Sequence, residues 1–266
     1  MSRKPAEKDV REANVRLHRA IAPEYDNRQA IYHPAVMENL RKLIIPYIDE
    51  NKGLALDAGC GTGYILDLMG ETGFDFTCFD LTEEMVLRAK EKHPEEIFSV
   101  ADAFFPPFKE ETFDLLTISG VFHHVVDYEK LLKTLLSLVK KGGLVFILNE
   151  PNALGYNLFA PVRPITRALI PERRVRNHMK SGELRETDEA VAEYQIHHGK
   201  GVYPNKIRSI LEYSGFGIKK LEYSNLGILA NIGDRISADL IGKIPLLKRL
   251  PTGKFSPDFN IVAERK

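Results

Sequence analysis

The chain has 266 residues, 44% of them apolar and 28% charged, the balance of a soluble globular protein. Lysine plus arginine and aspartate plus glutamate number 37 each, so no net field favours a nucleic-acid partner. Two cysteines build no disulfide framework, no apolar run is long enough to span a bilayer, and the mixed-charge N-terminus is not that of a signal peptide; a cytoplasmic protein is the expectation.

In chain order, residues 1–12 are dense in charge and are expected to fray. From Val15 to Tyr47 apolar residues recur at helical spacing (Val36, Leu40, Leu43, Ile44), predicting two or three helices broken near Pro23, Pro34 and Pro46. Residues 1–48 are therefore read as an N-terminal helical lid. An apolar strand, Leu54 to Leu56, then runs through Asp57 into glycines 59, 61 and 63 and a helix from Tyr64 to Met69. A second strand, Phe74 to Phe79, ends at Asp80, and Leu81, Met85, Val86 and Ala89 mark one face of the next helix. A short strand, Ile97 to Val100, leads to Asp102, and a fourth occupies Phe113 to Ser119.

A helix capped by Asp127 is predicted to run to Lys141 and to stop at Gly142, with a strand from Leu144 to Asn149 after it. A helix is predicted from Pro204 in its first turn, with Gly215 just past its end, and strands at Gly217–Tyr223 and 260–264. Strands alternating with helices predict an α/β fold with a doubly wound parallel sheet. Its core is residues 49–150 and 202–266; 151–201 and 225–256 are helical insertions over the C-terminal sheet edge, where such folds bind ligands.

The segment Asp57-Ala58-Gly59-Cys60-Gly61-Thr62-Gly63 carries the clearest functional signal. A strand, a glycine turn and a helix N-terminus let backbone approach a ligand and turn free N–H groups toward it. The spacing is not G-x-G-x-x-G, because Tyr64 or Leu66 stands where the third glycine belongs, and no Gly-Lys-Ser/Thr completes a phosphate loop. What remains, D-x-G-x-G-x-G, resembles motif I of the class I S-adenosylmethionine-dependent methyltransferases. Asp80 stands about 20 residues beyond the turn, where this topology places an acceptor for ribose hydroxyls. The run Val121-Phe122-His123-His124-Val125-Val126-Asp127 is similar to the branch that includes the ubiquinone and menaquinone biosynthesis methyltransferases.

The resemblance covers residues 53–150 and resumes near 202. It implies a Rossmann-like seven-stranded sheet in the order 3-2-1-4-5-7-6 with strand 7 antiparallel, S-adenosylmethionine as cofactor and methyl transfer as activity. By the same resemblance the cofactor contacts are Asp57, Gly59, Cys60, Gly61, Gly63, Asp80, Asp102 with Ala103 for the adenine, and Ser119. Leu81 and Met85 wall the adenine, Met85 being equally a core residue. Tyr25, in Ala22-Pro23-Glu24-Tyr25-Asp26, either reaches across the cofactor from the lid or packs between helices.

His123 and His124 are the candidate general bases, or else they border the cofactor pocket. Glu150 is a substrate ligand or a cap partner; His197 and His198 are substrate ligands or surface residues. No metal is implied, since no histidine–carboxylate spacing matches a metal motif. The acceptor is read as a small organic or lipid-like molecule. Basic residues mixed with apolar ones at 161–180 and 240–257 raise peripheral contact with an anionic membrane as a possibility. The rival readings are a non-catalytic cofactor-binding regulator and an aminopropyl transferase on the same fold.

Overall fold

A computed structural model of the chain describes residues 4–32, 34–48, 53–70, 72–158, 184–185, 187–224, 254 and 256–266. The strands are β1 (Gly53–Ala58), β2 (Phe74–Asp80), β3 (Ile97–Val100), β4 (Phe113–Ser119), β5 (Val139–Pro151), β6 (Phe216–Ser224) and β7 (Asp258–Arg265). They form one seven-stranded sheet in the order β3-β2-β1-β4-β5-β7-β6. The pairs among β1 to β5 are parallel, and β7 runs antiparallel to both β5 and β6, the predicted arrangement. All the C-terminal ends of β1 to β5 therefore lie along one edge, and each chain crossing there becomes a loop available to a ligand.

Ten α-helices surround the sheet among the described residues: α1 (Glu7–Ile21), α2 (Tyr25–Arg28), α3 (Pro34–Ile44), α4 (Tyr64–Met69), α5 (Glu83–Lys92), α6 (Tyr128–Leu136), α7 (Ala153–Leu158), α8 (Asp188–Ala192), α9 (Tyr194–His197) and α10 (Pro204–Tyr213). The central strands are apolar on both faces because both faces are covered. On one, Leu131, Leu132 and Leu135 of α6 and Ile207 and Leu211 of α10 pack on Leu116, Ile118 and Ile147. On the other, Leu40 and Ile44 of α3 and Ile65 and Leu68 of α4 pack on Leu115, Phe146 and Val262. At roughly 1.5–3 kcal/mol for each fully buried side chain, these two layers hold the edge loops in place.

Two elements differ from the sequence reading. Helix α1 begins at Glu7, inside the segment expected to fray. Its Val10, Ala13, Leu17 and Ile21 are buried at helical spacing, and packing of that stripe offsets the charge on the other face. Helix α6 does begin at its Asp127 cap, whose carboxylate accepts from the Lys130 N–H at 2.9 Å, but it ends at Leu136 rather than Lys141. Buried Val139 already pairs with Phe113, and Lys140 in β5 bonds both Asp114 oxygens at 3.0 and 2.9 Å. Strand pairing takes the lysines that sequence assigns to the helix C-terminus. The basic stretch 161–180 and nearly all of 240–257 lie outside the described residues, and no described helix is long and apolar enough to cross a membrane.

Candidate active site

The loop after β1 folds back on β2: the Gly59 and Cys60 N–H groups both donate to the Phe79 carbonyl, at 2.9 and 3.0 Å. Gly59 has φ +76°, and a Cβ there would stand 2.6 Å from a Val121 methyl, so only glycine fits between this loop and the one after β4. Gly61, at φ +54°, has nothing within 4 Å of its Cβ position. Its bare backbone faces open space. Asp80, at the end of β2, accepts from the Gly61 N–H through one oxygen and from the Thr82 N–H through the other, each at 2.9 Å. The carboxylate thus shapes the glycine loop while it lines the same cavity.

One loop further on, Asp102 accepts from the Phe104 N–H at 3.0 Å, and its second oxygen lies 3.1 Å from the Arg11 guanidinium of α1. Helix α1 roofs the cavity. Its Asn14 amide donates to the Val10 carbonyl at 2.9 Å and to the His124 carbonyl at 3.0 Å. Arg16 grips buried Asp188 of α8 with two bonds, 3.0 and 2.9 Å. Tyr25 completes the wall beside Asp80; burial, then Asp80 and Asp26, hold its hydroxyl protonated well above the usual range.

The loop after β4 carries the two adjacent histidines on a short turn, Phe122–His124. Its backbone is fixed by Glu150, fully buried at the end of β5, whose Oε1 accepts from the Val121 and Phe122 N–H groups at 2.6 and 2.9 Å. His124 lines the main cavity and donates from Nδ1 to the Ala192 carbonyl at 3.1 Å. Burial, with His123 and His18 close by, pushes its pKa well down, so it stays neutral. His123 Nδ1 lies 3.3 Å from Glu150 Oε2 and the ring borders a second cavity, with Gln195, Ala153 and residues 199–202.

Of the residues predicted from sequence, Tyr25, Gly59, Gly61, Asp80, Leu81, Asp102, Ala103, Ser119 and His124 stand in the wall of the main cavity. Others of the motif are turned away from it. Asp57 is buried and accepts the Thr117 hydroxyl at 2.7 Å; burial raises its pKa to about 7. Cys60 is buried beneath the loop, its thiol beside that of Cys78. Gly63 starts α4, where a Cβ would lie 3.0 Å from the His93 ring, and Met85 packs in the core with Ala13 and Leu17.

Glu150 is a loop anchor and lines neither cavity; His197 pairs with Glu193 at 3.3 Å, and His198 lies against the Tyr194 ring. Arg11, Asn14 and His18 enter the wall without having been predicted. The signal that could have found them is Asn14, a polar residue inside the apolar stripe of α1.

Residues 56–147 match the family model of a methyltransferase domain. That stretch is a methyltransferase domain. Among relatives, a demethylmenaquinone methyltransferase of Paenarthrobacter aurescens is 28% identical over 153 residues, 57% of each chain. The human mitochondrial protein named arginine-hydroxylase NDUFAF5 is 39% identical over 101 residues, 38% of this chain and 29% of its own length. The chain thus spans only part of the relatives it matches. A solved S-adenosylmethionine-dependent methyltransferase of Mesorhizobium loti superposes with a TM-score of 0.55 at 18% identity, over 90% of this chain and 99% of that one.

The cofactor of the domain is S-adenosylmethionine, and the residues of the main cavity fit it. Gly61 offers backbone with open space before it, Asp80 and Asp102 offer acceptors to hydroxyl and amine donors, and Leu81, Ala103 and Phe104 supply apolar surface between them.

Proposed function

We propose that the protein transfers the methyl group of S-adenosylmethionine to a small organic acceptor. The observation that supports this reading is the convergence of Gly61, Asp80 and Asp102 on one cavity at the C-terminal sheet edge. When bound, the cofactor supplies a methyl already activated by its sulfonium. The protein's part is alignment and the exclusion of water. Asp80 would accept from the ribose hydroxyls, and Asp102 would accept from the adenine amine beside Arg11. Helix α1, fastened by Asn14 and Arg16, is the lid. Wild-type protein is expected to bind S-adenosylmethionine and S-adenosylhomocysteine in calorimetry; no heat with either would end this reading. Tight binding without turnover on any acceptor would favour a regulatory binding protein, and turnover with decarboxylated cofactor an aminopropyl transferase.

The finer proposal is a lipid-like acceptor. It draws on the relative named for demethylmenaquinone and on the basic, apolar composition of 161–180 and 240–257. Each basic residue near an anionic surface contributes about 1 kcal/mol, weakening with salt. The protein is then expected to sediment with anionic but not with neutral vesicles at low salt. Failure to sediment with either leaves a water-soluble acceptor.

A further inference from the structure

The two histidines after β4 face different cavities, and their partners give them different work. His124 spends its Nδ1 proton on the Ala192 carbonyl at 3.1 Å, and its ring lies edge-on to His18, with centroids 5.0 Å apart, inside the main cavity. His123 is held by a carboxylate instead. Glu150 needs only Oε1 to fix the loop, since that oxygen takes both backbone N–H groups; Oε2 is directed to His123 Nδ1 at 3.3 Å. A carboxylate can only accept, so Nδ1 carries the proton and the lone pair is left on Nε2. A loop anchor alone would be served by a neutral glutamine, without the cost of burying a charge.

The location is suited to an acceptor. The His123 ring borders the second cavity, whose wall includes Gln195. Gln195 donates to the Val125 and Val126 carbonyls at 2.8 and 2.9 Å, so the same loop supports both walls. On its other side the ring stands behind Gly120, a residue of the main-cavity wall, where a Cβ would lie 3.7 Å from His123 Cε1. No side chain at position 120 stands between the imidazole and the cavity assigned to the cofactor.

We propose that Glu150 positions His123 as general base toward the weakly acidic hydroxyl of an acceptor, phenolic or enolic, seated in the second cavity; this rests on the methyltransferase reading. The acceptor's O–H bond breaks and its proton passes to His123 Nε2. The oxygen's electron pair forms the O–CH3 bond, and the pair of the broken S–CH3 bond stays on sulfur. The products are a methyl ether, S-adenosylhomocysteine and an imidazolium that returns its proton to water. The charged groups around His123 favour that imidazolium: Glu150 from β5, Glu193 between α8 and α9, and Asp258 from β7. Burial, the largest single influence, works against them, but the three carboxylates together prevail and the pKa is raised; His124, adjacent and neutral, adds no opposing charge.

The test is nitrogen NMR of the imidazoles in the full chain with S-adenosylhomocysteine bound, in wild type and Glu150→Gln. The glutamine keeps an oxygen for the Val121 and Phe122 N–H groups but turns a donor toward Nδ1. Wild-type His123 is expected to carry its neutral-state proton on Nδ1 and to shift at Nε2 when phenol is added. In Glu150→Gln the proton should move to Nε2, the pKa should fall, and the phenol shift should vanish. Affinity for S-adenosylhomocysteine should stay within about threefold, which shows that the loop is intact.

A wild-type His123 protonated on Nε2, an unmoved pKa in Glu150→Gln, or a phenol response at His124 instead would overturn the proposal. Wild-type protein that binds no S-adenosylhomocysteine would remove the methyltransferase reading itself, and the base with it.

Discussion

Asp80→Ala separates a residue that only shapes the glycine loop from one that also holds a ligand. In the structure the carboxylate accepts from Gly61 and Thr82 N–H, each at 2.9 Å, and it still has lone pairs free toward the cavity. Losing a hydrogen bond to a charged group costs about 1.5–3 kcal/mol. If the ribose hydroxyls depend on Asp80, affinity for S-adenosylhomocysteine should therefore fall by about ten- to a hundred-fold. The two abandoned N–H groups should separately lower the unfolding free energy by about 1–3 kcal/mol. Asp80→Asn keeps one acceptor oxygen and should fall between wild type and alanine on both scales. Calorimetry reads the first effect and urea unfolding the second. A folded Asp80→Ala protein with wild-type affinity would show that the carboxylate serves the loop alone, and the cofactor orientation proposed here would be wrong.

Two further outcomes follow from buried charge. Burial raises the Asp57 pKa to about 7, above its unfolded value, so between about 4 and 7 the native state keeps a proton that the unfolded chain releases, and stability falls as pH rises through that window. Asp57→Asn should then be more stable than wild type at pH 8, by up to about 4 kcal/mol, with the advantage shrinking toward pH 4; a pH-independent difference in urea unfolding would contradict the assignment. Arg16→Ala leaves Asp188 buried without its two bonds from the guanidinium and should cost about 2–4 kcal/mol, allowing for solvent reaching the arginine. An unfolding midpoint equal to wild type would mean that α1 is not held through this pair.

The sheet and its order were legible because apolar runs, glycine turns and acidic strand ends recur in the order of a known family, and these are local signals. The parts that were not legible depend on partners distant in sequence. Whether Asp57 or Asp80 touches a ligand cannot be read from a motif that contains one and precedes the other. The inward turn of Asp57 depends on Thr117, 60 positions away, whose hydroxyl bonds its carboxylate. Cys60 and Gly63 likewise belong to the motif for shape, one beneath the loop and the other against His93. Charge density at 1–12 suggested fraying because local composition does not reveal that Val10 and Ala13 have a core to enter. For Glu150 the sequence left substrate ligand and cap partner open; only the fold shows it fixing a loop and orienting a histidine at once.

The same economy appears around the whole edge. Asp80 ties the loop after β1 to the end of β2, Glu150 ties the loop after β4 to the end of β5, and Asn14 ties α1 to that second loop. In each case one side chain satisfies backbone polar groups that would otherwise be unpaired, which gives it a structural reason to be there before any ligand arrives. Asp80 retains acceptor capacity toward the cavity, and Glu150 passes its remaining oxygen to His123. Preorganisation of this kind lowers the ordering cost of binding, since the groups that meet the ligand are already fixed. It also separates the two questions the domain poses. In the proposed reading the loops after β1, β2 and β3 would hold the cofactor, whereas the roof of α1 and the cavity beside His123 would face the acceptor.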